Sequence, residues 1–169
     1  MEKAFKVISE MSKEGILTDY AICGAVATIY YTEPFDTYDV DIFFIPSEKE
    51  KIIILTPFYD WLLKEKKYKA HKEYILIGTT PVQFVPTASE LEKEAVKNAV
   101  EVVYKEIKLK ILRPEYLIAI FLKVYRLKDK LKIKKLLDET EINKNLLMEI
   151  LMKYDLKEKF QDFMEKYYG

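Results

Sequence analysis

The chain has 169 residues, half of them apolar, with 28 basic and 28 acidic side chains and no net charge. That is apolar material enough for a real core, which excludes a disordered tail or a disulfide-stapled miniature. One cysteine (Cys23) and one histidine (His71) exclude internal disulfides, cysteine-based zinc and a His-pair metal site, and the zero net charge gives no overall argument for nucleic acid.

Residues 2–14 space Phe5, Ile8 and Met11 as one face of an amphipathic helix, ended by Gly15. Tyr20–Cys23 reads as a short buried strand, and Gly24 leads into an apolar helix from Ala25 to Tyr31. Pro34 marks a loop through Thr37, since proline disfavours helix in the residue before it. Tyr38–Ile45 reads as a strand closed by Pro46 and Ser47, with Ser47 capping a short helix around Glu48–Lys51. A helix from Pro57 to Lys67 turns Phe58, Trp61 and Leu62 inward. Glu73–Ile77 and Val82–Val85 are two strands at hairpin distance across Gly78–Pro81. Residues 88–97 form a charged helix opened by Ser89, and Glu101–Leu112 supplies one or two strands. Pro114 starts an almost wholly apolar, buried helix, and everything from Asp129 onward is helical. The expected fold is α/β (α+β). A small mixed sheet of about four to five strands with flanking helices occupies residues 1–112, and a helical C-terminal region, 113–169, packs on it.

Charge is unevenly placed. Residues 1–92 hold 10 Lys and 15 acids, and residues 93–169 hold 18 Lys and Arg and 13 acids. An acidic front and a basic back can set metal ligands against phosphate-binding groups, or simply attract each other. The wealth of Lys and Glu with few Asn and Gln matches proteins from hot environments. The start of the chain has no signal-peptide stretch, and no apolar run approaches the ~20 residues of a membrane span. A cytoplasmic protein with no membrane partner is the expectation.

Chemistry concentrates in Ile22–Ala27 and Thr37–Phe44. Asp39 and Asp41 are two apart in a strand, so both point to one face. Paired carboxylates on an apolar strand repel each other and are costly to bury, and a divalent cation relieves both problems. The alternative is a solvated strand end. Upstream, Gly24 lets the backbone approach a ligand, and helix-start N–H groups suit a phosphate.

Strand, glycine, short helix, loop and a strand carrying Asp-x-Asp resemble the nucleotidyltransferase superfamily of the DNA-polymerase-β-like fold, in particular its small stand-alone prokaryotic members. The matching residues are Gly24-Ala25, Thr37, Asp39 and Asp41, then Leu117-Ile118-Ala119, Arg126-Leu127-Lys128-Asp129 and Leu136-Leu137. The resemblance spans roughly residues 16–137. It implies magnesium- (or manganese-) dependent transfer of a nucleoside monophosphate from a nucleoside triphosphate to an acceptor: a small molecule, RNA or protein. In that reading Asp39 and Asp41 are the catalytic, metal-binding pair, and Gly24, Ala25 and Thr37 contact the nucleotide.

Three departures from the pattern bear on activity. Ala25 stands where the family has Gly or Ser, Phe35 where it has arginine, and Gln83 where it usually has a third carboxylate. An amide oxygen can touch a metal weakly but cannot act as a carboxylate base. The alternative function is therefore a catalytically weakened regulator that binds nucleotide or protein, such as a toxin–antitoxin component.

Arg126 and Lys130, four apart in the basic stretch Lys123–Lys135, can meet one phosphate together or form a solvated helix face. Tyr30, Tyr31 and Tyr38 flank the site and can stack on a base or pack at its rim. His71 reads as a surface residue outside the chemistry and Cys23 as buried packing. Neither the base preference, the acceptor nor the oligomeric state is written in these residues.

Overall fold

The computed structural model describes residues 1–47 and 56–169; the helix expected around Glu48–Lys51 lies outside them. The chain forms two compact units, one of Met1–Ala27 and Asp36–Leu112, the other of Thr28–Phe35 and Arg113–Gly169. The helix α2 (Gly24–Tyr31) runs from the first into the second.

Among the described residues the first unit holds one mixed sheet of seven strands: β1 (Tyr20–Cys23), β2 (Val40–Phe44), β3 (Lys69–His71), β4 (Tyr74–Ile77), β5 (Thr80–Pro86), β6 (Val100–Tyr104) and β7 (Ile107–Ile111). Their order is β3-β4-β5-β2-β1-β7-β6. β2 runs parallel to β5 and antiparallel to β1, which in turn is parallel to β7.

The sheet exceeds the four to five strands expected, for two reasons. β3 is three exposed residues with no apolar alternation to announce it. The segment after Ala99 is a hairpin, β6–β7, whose turn residues Lys105 and Glu106 both take left-handed backbone (φ 46 and 67). Such a two-residue turn usually shows itself by Asn or Gly, and here it has neither.

Alternation along β2 assigns its two faces. Val40, Ile42 and Phe44 are buried, while Asp41 and Phe43 are half-buried on the other side. On the apolar face the Phe58 ring lies edge-on to Phe44 (centroids 4.6 Å apart) and stacks on Phe84 (5.4 Å, planes 8° apart). Phe58 belongs to α3 (Thr56–Tyr59), which continues as a π-helical segment, Asp60–Glu65, carrying buried Trp61 and Leu62. Those three side chains turn inward as their spacing suggests. Helix α1 (Glu2–Lys13) packs against β7 and β4, and α4 (Glu90–Lys97) against β1 and β2. Ser89 caps α4 through a reciprocal pair with Glu92.

The second unit contains α5 (Pro114–Val124), α6 (Leu127–Glu139), α7 (Lys144–Lys153) and α8 (Lys157–Tyr168). Helix α5 packs against α6 and α7, and α7 against α8. Residues 28–35 are tied to the end of α6: the Thr140 hydroxyl donates to the Tyr31 carbonyl (2.7 Å), and the Glu33 N–H donates to Glu139 Oε2 (2.7 Å). Phe35 lies under the Lys135 ammonium, 5.7 Å from ring centroid to Nζ.

The start of α6 is built on Asp129, whose side chain is fully buried. It accepts from the Arg126 N–H (3.1 Å), Nε (2.8 Å) and Nη2 (3.3 Å), and from Lys132 Nζ (3.4 Å). Burial opposes its ionisation, but the Arg126 hydrogen bonds and the Lys132 charge prevail and hold its carboxyl below the usual carboxylate range. The folded pKa is depressed, so the stability it confers is complete above its unfolded value near ~4 and is lost as pH falls through the folded value. Asp129→Ala is expected to cost about 2 kcal/mol in urea denaturation at pH 7. The difference from the parent should shrink as the pH is lowered below the carboxylate range; a pH-independent difference would contradict this assignment.

Candidate functional site

The turn from β1 into α2 places Gly24 against β2. Gly24 has φ +63, and a Cβ built there would lie 2.6 Å from Asp41 Oδ2. Glycine suits this position on two counts: it takes the left-handed backbone without strain, and it leaves the space occupied by the carboxylate. Across the strands, Cys23 pairs with Asp41, and Asp41 with Gln83. The buried Cys23 thiol donates to the Asp41 carbonyl at 3.4 Å, a packing role as its sequence context suggests.

Asp39 lies one residue before β2 begins; the strand starts at Val40 and not at Tyr38 as the sequence suggests. Alternation still sets Asp39 on the Asp41 side. The Thr37 hydroxyl donates a long, weak hydrogen bond to Asp39 Oδ1 (3.4 Å). Thr37, Asp39, Asp41, Gly24, Ala25 and Gln83 all belong to the first unit.

Tyr74 is a neighbour that the sequence does not single out. β4 pairs Ile75 with Val82 and Leu76 with Pro81, so the next step of that register carries Tyr74 opposite Gln83. Burial, then the charges of Asp39, Glu73 and Asp41, push the Tyr74 phenol above its ordinary pKa, so it stays protonated. The hairpin register was the signal for it: once Gln83 is placed beside Asp41, Tyr74 follows. His71, paired with Tyr74 across the β3–β4 turn, is exposed. Tyr38, Asp39, Tyr74, Leu76 and Pro81, with the turn residues, line a cleft of about 420 Å³ on this side of the sheet.

Arg126 and Lys130 lie in the second unit. Arg126 engages Asp129, and Lys130 sits over the Tyr125 ring at 4.3 Å. Among the described residues no group of three His, Cys, Asp or Glu is placed to hold a metal. The donors at hand are two carboxylates and the Gln83 amide oxygen. That set fits magnesium, which uses hard oxygen ligands, often only one or two carboxylates with substrate phosphates and water. No described helix is long and apolar enough to cross a membrane.

No family model and no curated protein matches the chain. Among solved structures it is similar to an antigenic nucleotidyltransferase-like protein from Paracoccidioides brasiliensis, with a TM-score of 0.60 and 13% identity over 98% of this chain and 89% of that one. At this identity the likeness is one of fold, and the fold is a nucleotidyltransferase-like mixed α/β arrangement.

Because the Asp41 carboxylate occupies the place of a Gly24 side chain, Gly24→Ala is expected to turn that carboxylate away. The left-handed backbone adds about 1–2 kcal/mol of destabilisation, readable by thermal or urea unfolding. A crystal structure of Gly24→Ala with Asp41 unmoved would refute the close-packing account.

Proposed function

We propose that the chain is a small stand-alone nucleotidyltransferase of the DNA-polymerase-β-like type, cytoplasmic and of the prokaryotic kind. It would move a nucleoside monophosphate from a nucleoside triphosphate to an acceptor hydroxyl or phosphate. One observation carries the reading: Gly24, at the mouth of α2, is packed against Asp41. A turn of the kind that suits a phosphate thereby lies beside one carboxylate of the pair.

Asp39 and Asp41 would hold magnesium or manganese, with the Gln83 amide oxygen as a weak third donor. When bound, the metal neutralises the triphosphate and acidifies the acceptor hydroxyl. Gly24 and Ala25 offer backbone at the start of α2 for the outer phosphates, where the helix dipole favours negative charge. Thr37 orients Asp39 through its hydroxyl. The acceptor oxygen bonds to the α-phosphorus, the bond from that phosphorus to the bridging oxygen breaks, and pyrophosphate leaves with the electron pair. Gln83 cannot take the acceptor proton, so it passes to water.

That last point favours a second reading. The position beside Asp41 on β5 is an amide, and a protein so built binds nucleotide but turns over slowly, as a regulator or a toxin–antitoxin component would. The two readings share a nucleotide site and differ in rate.

Calorimetric titration with ATP, CTP, GTP and UTP, with and without magnesium, tests the shared part. Binding should require magnesium and should fall at least tenfold in Asp39→Asn/Asp41→Asn; equal affinity in that variant would remove the metal site. Pyrophosphate release separates the readings. Gln83→Asp is expected to raise it about 10²-fold, the low end of what a placed general base contributes, and an unchanged rate would count against Gln83 as the weak point.

A further inference from the structure

The two edge strands of the sheet, β3 and β6, are built differently. β3 has 3 residues, starts at a lysine and lies between left-handed Lys67 and Lys72. Shortness and lysine charge are what keep an edge strand from pairing with another chain. β6 has 5 residues, Val-Glu-Val-Val-Tyr, with no lysine, no proline and no bulge in its ladder with β7. Its charged residue, Glu101, is already held by Lys108 on the neighbouring strand (3.2 Å). Val103 is 60% exposed and Tyr104 41%. Nothing in the composition of β6 blunts it as an edge.

The hairpin turn fixes which main-chain groups of β6 face outward. Tyr104 and Ile107 flank the turn residues Lys105 and Glu106, so they exchange both of their hydrogen bonds. By alternation Val102 with Leu109, and Val100 with Ile111, do the same. Glu101 and Val103 therefore turn their N–H and C=O groups away from β7. Among the described residues no strand pairs with that side of β6, and no turn or loop bond reaches those groups.

We propose that β6 pairs antiparallel with β6 of a second copy of this chain, about a two-fold axis at Val102, so that the dimer has one continuous sheet. The inference is independent of the catalytic reading. What selects a second copy is that the strand complements itself. Centred on Glu101, the pairing would set like charges directly opposite each other. Centred on Val103, it would need Lys105 to continue the strand, and Lys105 has left-handed backbone (φ 46). Centred on Val102, Glu101 lies opposite Val103 of the partner subunit and Val103 opposite the partner subunit's Glu101. Each of those pairs exchanges both N–H···O bonds, and no charge meets its like. The same register sets Val100 opposite Tyr104 of the partner subunit, an aromatic and a β-branched side chain of the kind that stabilises a sheet. Tyr104 is already held in place for this, since the Phe5 ring of α1 lies edge-on to it (5.4 Å). A strand of 5 residues is a small contact, so monomer and dimer exchange at micromolar concentrations.

Sedimentation velocity of the full chain over a concentration series should show monomer giving way to dimer. Val103→Glu sets a second acid opposite Glu101 at both ends of the pairing and should weaken the dimer about tenfold. Val103→Lys sets an opposite charge there and should leave the dimer within about threefold of the parent. Inside one chain the preference is reversed. Residue 103 is paired with Lys108 on β7, which favours Glu over Lys, so loss of the dimer in Val103→Glu does not come from a weakened hairpin. In the parent, the Glu101 and Val103 amides should exchange with solvent more slowly as concentration rises. A chain that stays monomeric throughout the series overturns the proposal, as does exchange at both amides that is independent of concentration. It falls also if Val103→Glu leaves the dimer intact, or if Glu and Lys weaken it equally, since the contact then lies elsewhere or in another register.

Discussion

The contact between Gly24 and the Asp41 carboxylate organises the rest of the first unit's candidate site. It requires β1 and β2 to lie side by side with Cys23 opposite Asp41. It also requires the chain to leave β1 with a left-handed residue, which sends it directly into α2. A side chain at residue 24 would separate the helix start from the carboxylate. The contact thus converts a sheet register into a juxtaposition: the backbone at a helix start on one side and a carboxylate on the other, the two features on which the proposed function draws.

What makes this arrangement tolerable is the other face of β2. A central strand carrying acidic residues costs stability unless something else secures it. Here Val40, Ile42 and Phe44 are fully or almost fully buried, and Phe58 bridges Phe44 and Phe84 across β2 and β5. The apolar face carries the packing, which leaves the opposite face able to hold Asp39, Asp41 and Gln83. This division of labour follows from the two-residue period of the strand. Moving the register by one residue would exchange the faces and bury the carboxylates.

The same period explains what the sequence reveals and what it hides. The elements with strong patterns are found where their residues suggest: α1 from its apolar spacing, β1 and β2 from their apolar runs, α4 from Ser89, α5 from Pro114. The adjacency of Asp41 and Gln83, expected from the resemblance, appears as a strand pair. β3 and the β6–β7 turn were hidden because their residues are ordinary; lysine and glutamate in left-handed backbone leave no compositional trace. Tyr74 was hidden for a different reason. It lies nine residues from Gln83 in sequence, and only pairing brings them opposite. His71 and Lys72 reach the cleft in the same way, through a turn whose placement depends on β4 and not on their own identity.

Register also bears on how an amide at residue 83 is to be understood. Asp39, Glu73 and Asp41 already lie close enough to Tyr74 that, after burial, their charges help to push its phenol up. A further carboxylate beside Asp41 would add repulsion that a bound cation would have to offset. Glutamine keeps the oxygen donor while removing that charge, and it leaves the sheet face less costly to hold together when no cation is bound. In the proposed function, the amide that would slow the chemistry is therefore also the one that eases the fold. On that proposal stability and turnover draw on the same residue in opposite directions, as expected where charged groups are concentrated for function.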